Sequence, residues 1–322
     1  MTLNSEDFHH IPVLKDAVLE HLTFDPSRPA RLIDGTVGGG GHSALLLEKY
    51  SKLELLGIDR DDMALSAASK RLAFAGSRVT LVRGCYADLA ALAVEHGWDQ
   101  VDGVLLDIGV SSPQLDIAER GFSWRNDAVL DMRMDRRSEL TAGRWLNRTS
   151  EAEMARVFRE YGEIRQAGKL ARKAVELREK KPFAMTSDLV ALCDAVLGRA
   201  KPGTLPHPTL VFQAVRIAVN DELKQLETGL RSAVGVLPPR GRVAVISFHS
   251  LEDRIVKNYF RQESTQCICP PGLPICCCGH KAQLRLVTRH AVTAEKEEIA
   301  ENSRSACAKL RAAEKISEAS WG

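Results

Sequence analysis

Short apolar runs of strand length recur along the first third of the chain, and one more follows near residue 245. Runs of this kind, rich in Leu, Ile and Val, are typical of strands buried in a sheet. Segments 43–49 and 62–75 between them have helical patterns, so the order is β-α-β-α and predicts a parallel sheet. The predicted strands are RLID (31–34), LELLGID (53–59), RVTLV (78–82), VDGVLLDIGV (101–110) and GRVAVISF (241–248).

The pattern changes between about residues 115 and 240, where charged helical segments replace the strands. Along SEAEMARVFREYGEIRQAGKLARKAVELREK, apolar side chains recur at helical spacing. We predict a helical domain, 116–215, inserted between two parts of a sheet domain, 1–115 and 216–322. The segments 283–289 and 307–315 supply two closing strands, although the second is equally compatible with a helix.

Composition favours a globular chain, because 322 residues with 44% apolar side chains can bury a large core. The formal net charge of +2 excludes neither a nucleic-acid nor a small-molecule partner, since a balanced total can hide local charge. No apolar run approaches the roughly 18 residues of a membrane span, and MTLNSEDFHH lacks the basic and apolar blocks of a secretory signal. We therefore expect a cytoplasmic protein without membrane contact.

Four consecutive glycines in LIDGTVGGGGHSALLL separate the first strand from a helix. Residues without Cβ let the backbone turn tightly there and approach a ligand, whose polar groups meet the free N–H groups at the helix start. Asp59 ends the second strand about twenty residues later, where a carboxylate can accept hydrogen bonds from ribose hydroxyls. Together these features indicate an adenosine-containing ligand. The alternative is a structural turn in which Asp59, Asp61 or Asp62 caps the next helix.

Polar residues follow the fourth strand in VDGVLLDIGVSSPQLD. At the carboxyl end of a central parallel strand, such residues border the ligand crevice, and an acid there is otherwise costly to bury. The alternative is an ordinary loop in which backbone donors satisfy the acid. The residues that we expect at the crevice are Asp107, Ser111, Ser112, Pro113 and Gln114.

Six segments, in this order, resemble the RsmH (MraW) family: GTVGGGGHS, GIDRD, LLDIGVSSPQLDIAERGFSW, LDMRMD, FQAVRIAVNDEL and GRVAVISFHSLEDRIVK. This family comprises S-adenosylmethionine-dependent methyltransferases that modify N4 of a cytidine in the decoding region of small-subunit (16S) ribosomal RNA. The resemblance covers nearly the whole chain. It implies an α/β fold, with a class I, Rossmann-like, seven-stranded methyltransferase domain and an inserted all-α domain for substrate recognition.

The resemblance also implies the S-adenosylmethionine contacts. S-adenosylmethionine has no pyrophosphate, so the glycine loop admits only the methionine carboxylate and amine, and His42 is expected to contribute its backbone N–H. Either Asp34 or Asp107 balances the cationic end of the cofactor. The predicted cofactor-binding residues are Asp34, Gly40, Gly41, His42, Asp59, Tyr86, Asp107 and Gln114.

Methyl transfer to an exocyclic amine is an in-line displacement, and the cytosine N4 lone pair is delocalised into the ring. Catalysis is expected from positioning and from acceptors for the amino protons, for which we predict Asp107, Ser111, Ser112 and Pro113. The base must leave its stack to be reached, so an aromatic partner is expected. The candidates, each of which also fits a core position, are Phe122, Trp124 and Phe248, with Ser247, His249 and Ser250 as further candidates for the target pocket.

Local charge favours an RNA partner, because Arg125 to Lys181 contains fifteen Lys and Arg against ten Asp and Glu. We expect this partner to be small-subunit ribosomal RNA or the assembled small subunit, with no obligate protein partner. Alternating signs along these helices also describe a solvated face, which accounts for most of the charges.

Five of the eight cysteines lie within the segment CICPPGLPICCCGH. Because a disulfide framework normally has its cysteines distributed along the chain, we expect reduced thiols. Four thiolates for zinc are available there, with His280 nearby. However, a C-x-C pair is tighter than the usual C-x₂-C, and the prolines suit an exposed loop, so we predict no metal. The cysteines of this segment are Cys267, Cys269, Cys276, Cys277 and Cys278.

Two other functions share the cofactor features. A DNA amino methyltransferase would have the same cofactor site but act on duplex DNA. A non-catalytic module that binds an adenosine cofactor would keep Gly40, Gly41 and Asp59. Such a module would tolerate changes at Ser111, Ser112 and Pro113.

Overall fold

The computed structural model describes residues 11–270 and 275–317. They form two compact units, which we call the sheet unit and the helical unit. The sheet unit comprises the described residues of Met1–Gly109 and Leu223–Gly322, and the helical unit is Val110–Glu222. A role of the helical unit in substrate recognition stays a prediction.

The sheet unit is built on an eight-stranded sheet. Its strands are β1 (Ala30–Asp34), β2 (Leu53–Asp59), β3 (Val79–Arg83), β4 (Gly103–Asp107), β5 (Arg242–Ser247), β6 (Leu284–Leu286), β7 (Val292–Thr293) and β8 (Lys309–Lys315). Seven of them run in the order β3-β2-β1-β4-β5-β8-β6, and β7 pairs with β8 beside this path. The first five strands are parallel to one another, and β8 is antiparallel to β5, β6 and β7. The predicted α/β class is confirmed, with eight strands where the resemblance implies seven. The ambiguous segment 307–315 forms a strand from Lys309 onward.

The strand order reverses between β1 and β4, which are paired in parallel. The chain passes from β1 outward to β2 and β3 and then returns to add β4 on the other side of β1. Ligands in open parallel sheets bind at such a reversal of strand order. The strands are buried on both faces, as Leu32 and Ile33 of β1 show with no exposed surface. Polar groups at this place are therefore confined to the strand ends, Asp34 and Asp107.

Helices cover the sheet and build the second unit. They are α1 (Lys15–His21), α2 (Gly41–Lys49), α3 (Asp62–Arg71), α4 (Leu89–Glu95), α5 (Ser112–Asp116), α6 (Ala142–Arg148), α7 (Glu151–Glu160), α8 (Ala167–Lys180), α9 (Thr186–Leu197), α10 (His207–Asn220), α11 (Glu222–Gly235), α12 (Ser250–Glu263) and α13 (Lys296–Glu301). None of the described helices combines the length and apolar character needed to cross a membrane.

The helical unit has a core of its own. Met154, Val157 and Phe158 of α7 are fully buried, as their helical spacing predicts. The predicted run ends after α7 because Glu163 has a left-handed φ of 51°, and α8 begins four residues later at Ala167. Within the described residues of this unit, the only β-type pairing is an isolated bridge between Val129 and Met185, which confirms the predicted all-α character.

Phe158 offers a test of this core. Its ring has no exposed surface and lies edge-on to Trp145, with 6.3 Å between the centroids. Replacing Phe158 by Ala removes these contacts and leaves a cavity, so we expect unfolding free energy to fall by about 3–5 kcal/mol. Urea titration followed by circular dichroism measures the loss. Phe74→Ala, at a side chain that is 54% exposed, is the control and should cost less than about 1 kcal/mol. Equal losses for the two variants would contradict this assignment.

Candidate functional site

The glycine loop joins β1 to α2 and has two kinds of glycine. Gly40 has a φ of 78°, and a Cβ there would lie 3.1 Å from Cγ of Leu72. At Gly41 a Cβ would approach Cγ of Pro12 to 2.8 Å. Both glycines are therefore needed for packing and backbone conformation. Gly39 differs, because its φ is not positive and a Cβ would meet no described atom within 4 Å.

Asp34 is the buried acid of the loop, with 1% of its surface exposed. The Ser43 hydroxyl donates a 2.6 Å hydrogen bond to Oδ2, and the Thr36 N–H donates a 3.1 Å bond to Oδ1. Burial nevertheless raises the pKa of Asp34 to about 6, because these donors only partly replace the lost hydration. Asp34 is thus held in one position by groups from the loop and from α2.

Asp107 ends β4, beside the strand that ends in Asp34. Its backbone N–H donates a 2.6 Å hydrogen bond to the Thr36 hydroxyl. The buried Oδ1 of Asp107 has no hydrogen-bond partner among the described residues, and neither do the two ring nitrogens of His42. His42 Nε2 lies 3.5 Å from Asp107 Oδ2, too far for a good hydrogen bond. Buried polar atoms normally have partners, so this group has unused capacity to bind a ligand.

Asp59 ends β2 and is held by two backbone donors. Gly38 N–H donates to Oδ2 and Asp61 N–H to Oδ1, each at 2.9 Å, and burial raises the Asp59 pKa. The cap of α3 is Asp61, whose Oδ1 accepts from the N–H of Met63 at 3.1 Å. The capping alternative is therefore confirmed for Asp61 and wrong for Asp59. Contact of Asp59 with a ribose stays a prediction.

Tyr86 and Gln114 are both buried. Tyr86 begins a 3₁₀ helix after β3, is 7% exposed and packs closely on Gly35 and Gly229. Gln114 lies in α5 of the helical unit, is 5% exposed, and accepts a 3.0 Å hydrogen bond from the N–H of Ser111. Ser111 itself is half-buried. The side chains of Ser112 and Pro113 lie outside the described part of the structure.

Comparison with known proteins identifies the family of this chain. The model of the MraW methylase family matches residues 7–316. The chain belongs to the MraW methylase family. The ribosomal RNA small subunit methyltransferase H of Heliobacterium modesticaldum is 49% identical over 312 residues, which cover 96% of this chain and 99% of that protein. That of Geobacter sp. is 48% identical over 313 residues, covering 97% and 100%.

The similarity of this chain to solved structures is weaker than its similarity to the relatives above. A rRNA methylase from Streptococcus thermophilus aligns over 94% of each chain, with 11% identity and a TM-score of 0.40. A TM-score below 0.5 does not identify a common fold. The MraW assignment rests on the sequence relationship.

The three aromatic candidates for stacking have structural partners in this MraW chain. Phe122 is 7% exposed in the core of the helical unit. Trp124 is half-buried, and its Nε1 donates a 3.0 Å hydrogen bond to the Thr209 hydroxyl. In the sheet unit, Phe248 lies beside Gly109, where a Cβ would approach its ring to 3.3 Å. Trp124 and Phe248 are half-buried, whereas Phe122 is buried.

The candidates that follow β5 also have structural roles. Ser247 is 2% exposed, and its hydroxyl donates to the Lys309 carbonyl at 3.4 Å. His249 caps α12 by accepting from the Glu252 N–H, while Glu252 accepts from the N–H groups of Phe248 and His249. Ser250 is the first residue of α12. These contacts explain the residues as a strand-to-helix turn, and their contact with a target base stays a prediction.

The motif LDMRMD in the helical unit is held by two buried side chains. The Asn220 side chain accepts from Met134 N–H and donates to the Met132 carbonyl, both at 2.8 Å. Arg120, 3% exposed, donates to the Arg133 carbonyl at 3.0 Å. This motif is therefore a structural loop whose shape depends on residues far along the chain.

Many charges of the helical unit are paired. Arg156 contacts Glu153 and Glu160, each at 2.6 Å. Further pairs are Lys173 with Glu176 and Lys181 with Asp188. These pairs support the solvated-face interpretation for much of the basic excess, and contact of the remainder with phosphate stays a prediction.

Sequence reasoning missed three groups around the two acids: the hydroxyls of Thr36 and Ser43, and the ring of His42. Thr36 lies inside the glycine motif, two residues after Asp34. A hydroxyl this close to an acid in the sequence could have been predicted as a hydrogen-bond partner. The proximity of His42 to Asp107 has no local signal, because it depends on the pairing of β1 with β4.

The raised pKa of Asp34 predicts a pH-dependent stability. In the folded chain this carboxyl binds its proton up to about pH 6, against an ordinary value of 3.8. Between these values the folded state binds more protons than the unfolded state, so stability falls as pH rises. We expect wild type to lose roughly 3 kcal/mol relative to Asp34→Asn between pH 3.5 and pH 7.

Urea unfolding of both proteins across this range measures the difference. Asp99→Asn, at an exposed position, is the control, and its profile should run parallel to wild type. A constant difference between wild type and Asp34→Asn across the range would refute the raised pKa of Asp34.

Proposed function

We propose that this chain transfers a methyl group from S-adenosylmethionine to the exocyclic N4 of a cytidine in the decoding region of small-subunit ribosomal RNA. Membership in the MraW methylase family supports methyl transfer. The printed names of the relatives support ribosomal RNA as substrate. The observation that carries the proposal is the pair of acids, Asp34 and Asp107, at the ends of adjacent strands where the strand order reverses.

The residues present fit S-adenosylmethionine. Asp107 Oδ1 and the His42 ring nitrogens are buried polar atoms without partners in the described chain, as expected for atoms that meet a bound molecule. The first-turn N–H groups of α2 have no acceptor within the helix and suit a carboxylate. Gly39 leaves space beside them. When bound, the cofactor supplies a methyl group on a positively charged sulfur.

Each predicted contact has a distinct task. Asp34 and Asp107 place negative charge near the cationic end of the cofactor. Asp59 accepts hydrogen bonds from the ribose, and Tyr86 packs against the adenine. The loop of Gly40, Gly41 and His42 receives the methionine end, while Gln114 orders the turn at Ser111 through its 3.0 Å hydrogen bond. A phosphate-binding lysine is unnecessary because the ligand has no phosphate.

For the target amine, the chain supplies positioning and a hydrogen-bond acceptor. The amino group of cytosine becomes more acidic as its nitrogen forms a new bond, so an acceptor of its proton lowers the barrier. Asp107 is our candidate, because its Oδ1 has unused acceptor capacity. Ser111, Ser112 and Pro113 follow in the chain and are proposed to hold the base in line.

The decisive experiment supplies labelled S-adenosylmethionine with small ribosomal subunits, purified ribosomal RNA or duplex DNA, followed by nucleoside mass analysis. We expect N4-methylcytidine from ribosomal material alone. Label in DNA would instead indicate a DNA amino methyltransferase. Cofactor binding without transfer to any of the three would indicate a binding module.

Asp107→Asn tests the acceptor. The amide preserves shape but removes the charge and half of the acceptor capacity, so we expect the turnover rate to fall on the order of 100-fold. Single-turnover methylation at saturating cofactor measures this effect. Asp99→Asn serves as the charge-matched control and should retain the wild-type rate. Full activity of Asp107→Asn would exclude Asp107 as the acceptor.

Gly39→Ala tests the space in the glycine loop. A methyl group there meets no described atom, so folding should be unaffected, while the cofactor's methionine end loses room. We expect its dissociation constant to rise on the order of tenfold, which corresponds to about 1.4 kcal/mol. Isothermal titration calorimetry measures binding. Gly168→Ala, where a Cβ also has free space, is the control and should bind normally. Unchanged binding to Gly39→Ala would place the cofactor elsewhere.

A further inference from the structure

Four cysteine sulfurs converge in the loop between α12 and β6. They belong to Cys267, Cys269, Cys276 and Cys278, and all four Sγ atoms lie within 4.8 Å of one another. The described cysteines are all free of disulfide bonds. Two pairs of the form C-x-C, separated along the chain, thus meet at one point of the sheet unit.

The spacing of the sulfurs matches a tetrahedral metal site. Zinc bound by four thiolates at about 2.3 Å requires sulfurs about 3.8 Å apart. The observed distances between Sγ atoms are 3.5 Å for Cys276 and Cys278, 3.9 Å for Cys267 and Cys278, and 4.0 Å for Cys269 and Cys276. Each of the four sulfurs takes part in at least one of these short distances.

Backbone donors point at two of the sulfurs. The N–H of Cys269 donates to Cys267 Sγ, and the N–H of Cys277 donates to Cys269 Sγ, both at 3.4 Å. These two hydrogen bonds hold the sulfurs of Cys267 and Cys269 in place within the loop.

Two neighbouring groups fall outside the ligand set. His280 Nε2 lies 3.0 Å from the Gln262 carbonyl and is engaged there. Cys277 Sγ lies 3.9 Å from Cys269 Sγ but does not join the group of four. The set is therefore four cysteines without histidine.

We propose that Cys267, Cys269, Cys276 and Cys278 bind one Zn²⁺ ion in a structural site. Four thiols give up their protons on binding, and the resulting thiolates fill every position of the tetrahedron, so no site remains for a reacting water. The metal would tie the chain that leaves α12 at Glu263 to the chain that enters β6 at Leu284. This inference replaces our sequence-based prediction of no metal.

Metal analysis of the full chain, purified under reducing conditions without added metal or chelator, tests the proposal. We expect about one zinc per chain in the wild type and less than about one fifth of that in Cys267→Ser and Cys278→Ser. Cys277→Ser is the matched control, from the same loop, and should keep its zinc. Wild-type protein without zinc, iron in place of zinc, or loss of zinc from Cys277→Ser equal to that from Cys267→Ser would overturn the assignment.

Cobalt substitution gives a second measurement that does not depend on the folding of variants. Co²⁺ bound by four thiolates in a tetrahedron absorbs strongly through sulfur-to-metal charge transfer, unlike octahedral Co²⁺ in water. We expect these bands in the wild type, and their loss when one equivalent of Zn²⁺ is added. Octahedral spectra, or conversion of the thiols to disulfides with no bound metal, would refute the site.

Discussion

The cost of burying charge at the end of a parallel strand governs the sheet unit. A carboxylate loses its hydration there, and the neighbouring strands are apolar on both faces, so partners must come from the loops that follow. Asp34 obtains the Ser43 hydroxyl and the Thr36 N–H, and its pKa still rises to about 6. The turn of the glycine loop brings Thr36 and Ser43 of α2 to the Asp34 carboxylate. The need to supply hydrogen bonds to this buried carboxylate therefore constrains the loop as much as a ligand does.

Thr36 joins the two central strands through both of its polar groups. Its N–H donates to Asp34, while its hydroxyl accepts from the N–H of Asp107. One residue thereby fixes the relative position of the two acids. Asp107 retains an oxygen without a partner in the described structure. Asp34 is thus held by hydrogen bonds, while Asp107 can still accept one. Such a site is well suited to bind a cationic ligand and then act on a polar substrate.

The cysteine loop and the motifs of the helical unit show two other ways to order irregular chain. Asn220 and Arg120 hold LDMRMD with hydrogen bonds to backbone groups, which satisfies polar atoms that a helix would otherwise pair internally. Between α12 and β6, four cysteine sulfurs lie within 4.8 Å of one another. A metal supplies in such a loop the cross-link that a small amount of buried apolar surface cannot.

The sequence by itself determined the parallel strands, the glycine turn, the helical insertion and the acids at strand ends, because apolar periodicity and turn chemistry act over a few neighbouring residues. Its recurring motifs also determined the family. Only the tertiary structure decided that the His42 ring lies beside Asp107, that Gly39 rather than Gly40 leaves space, and that segment 307–315 is a strand. It likewise brought the two C-x-C pairs together. These are contacts between residues distant in the chain, and they depend on strand order and packing, which local patterns do not specify.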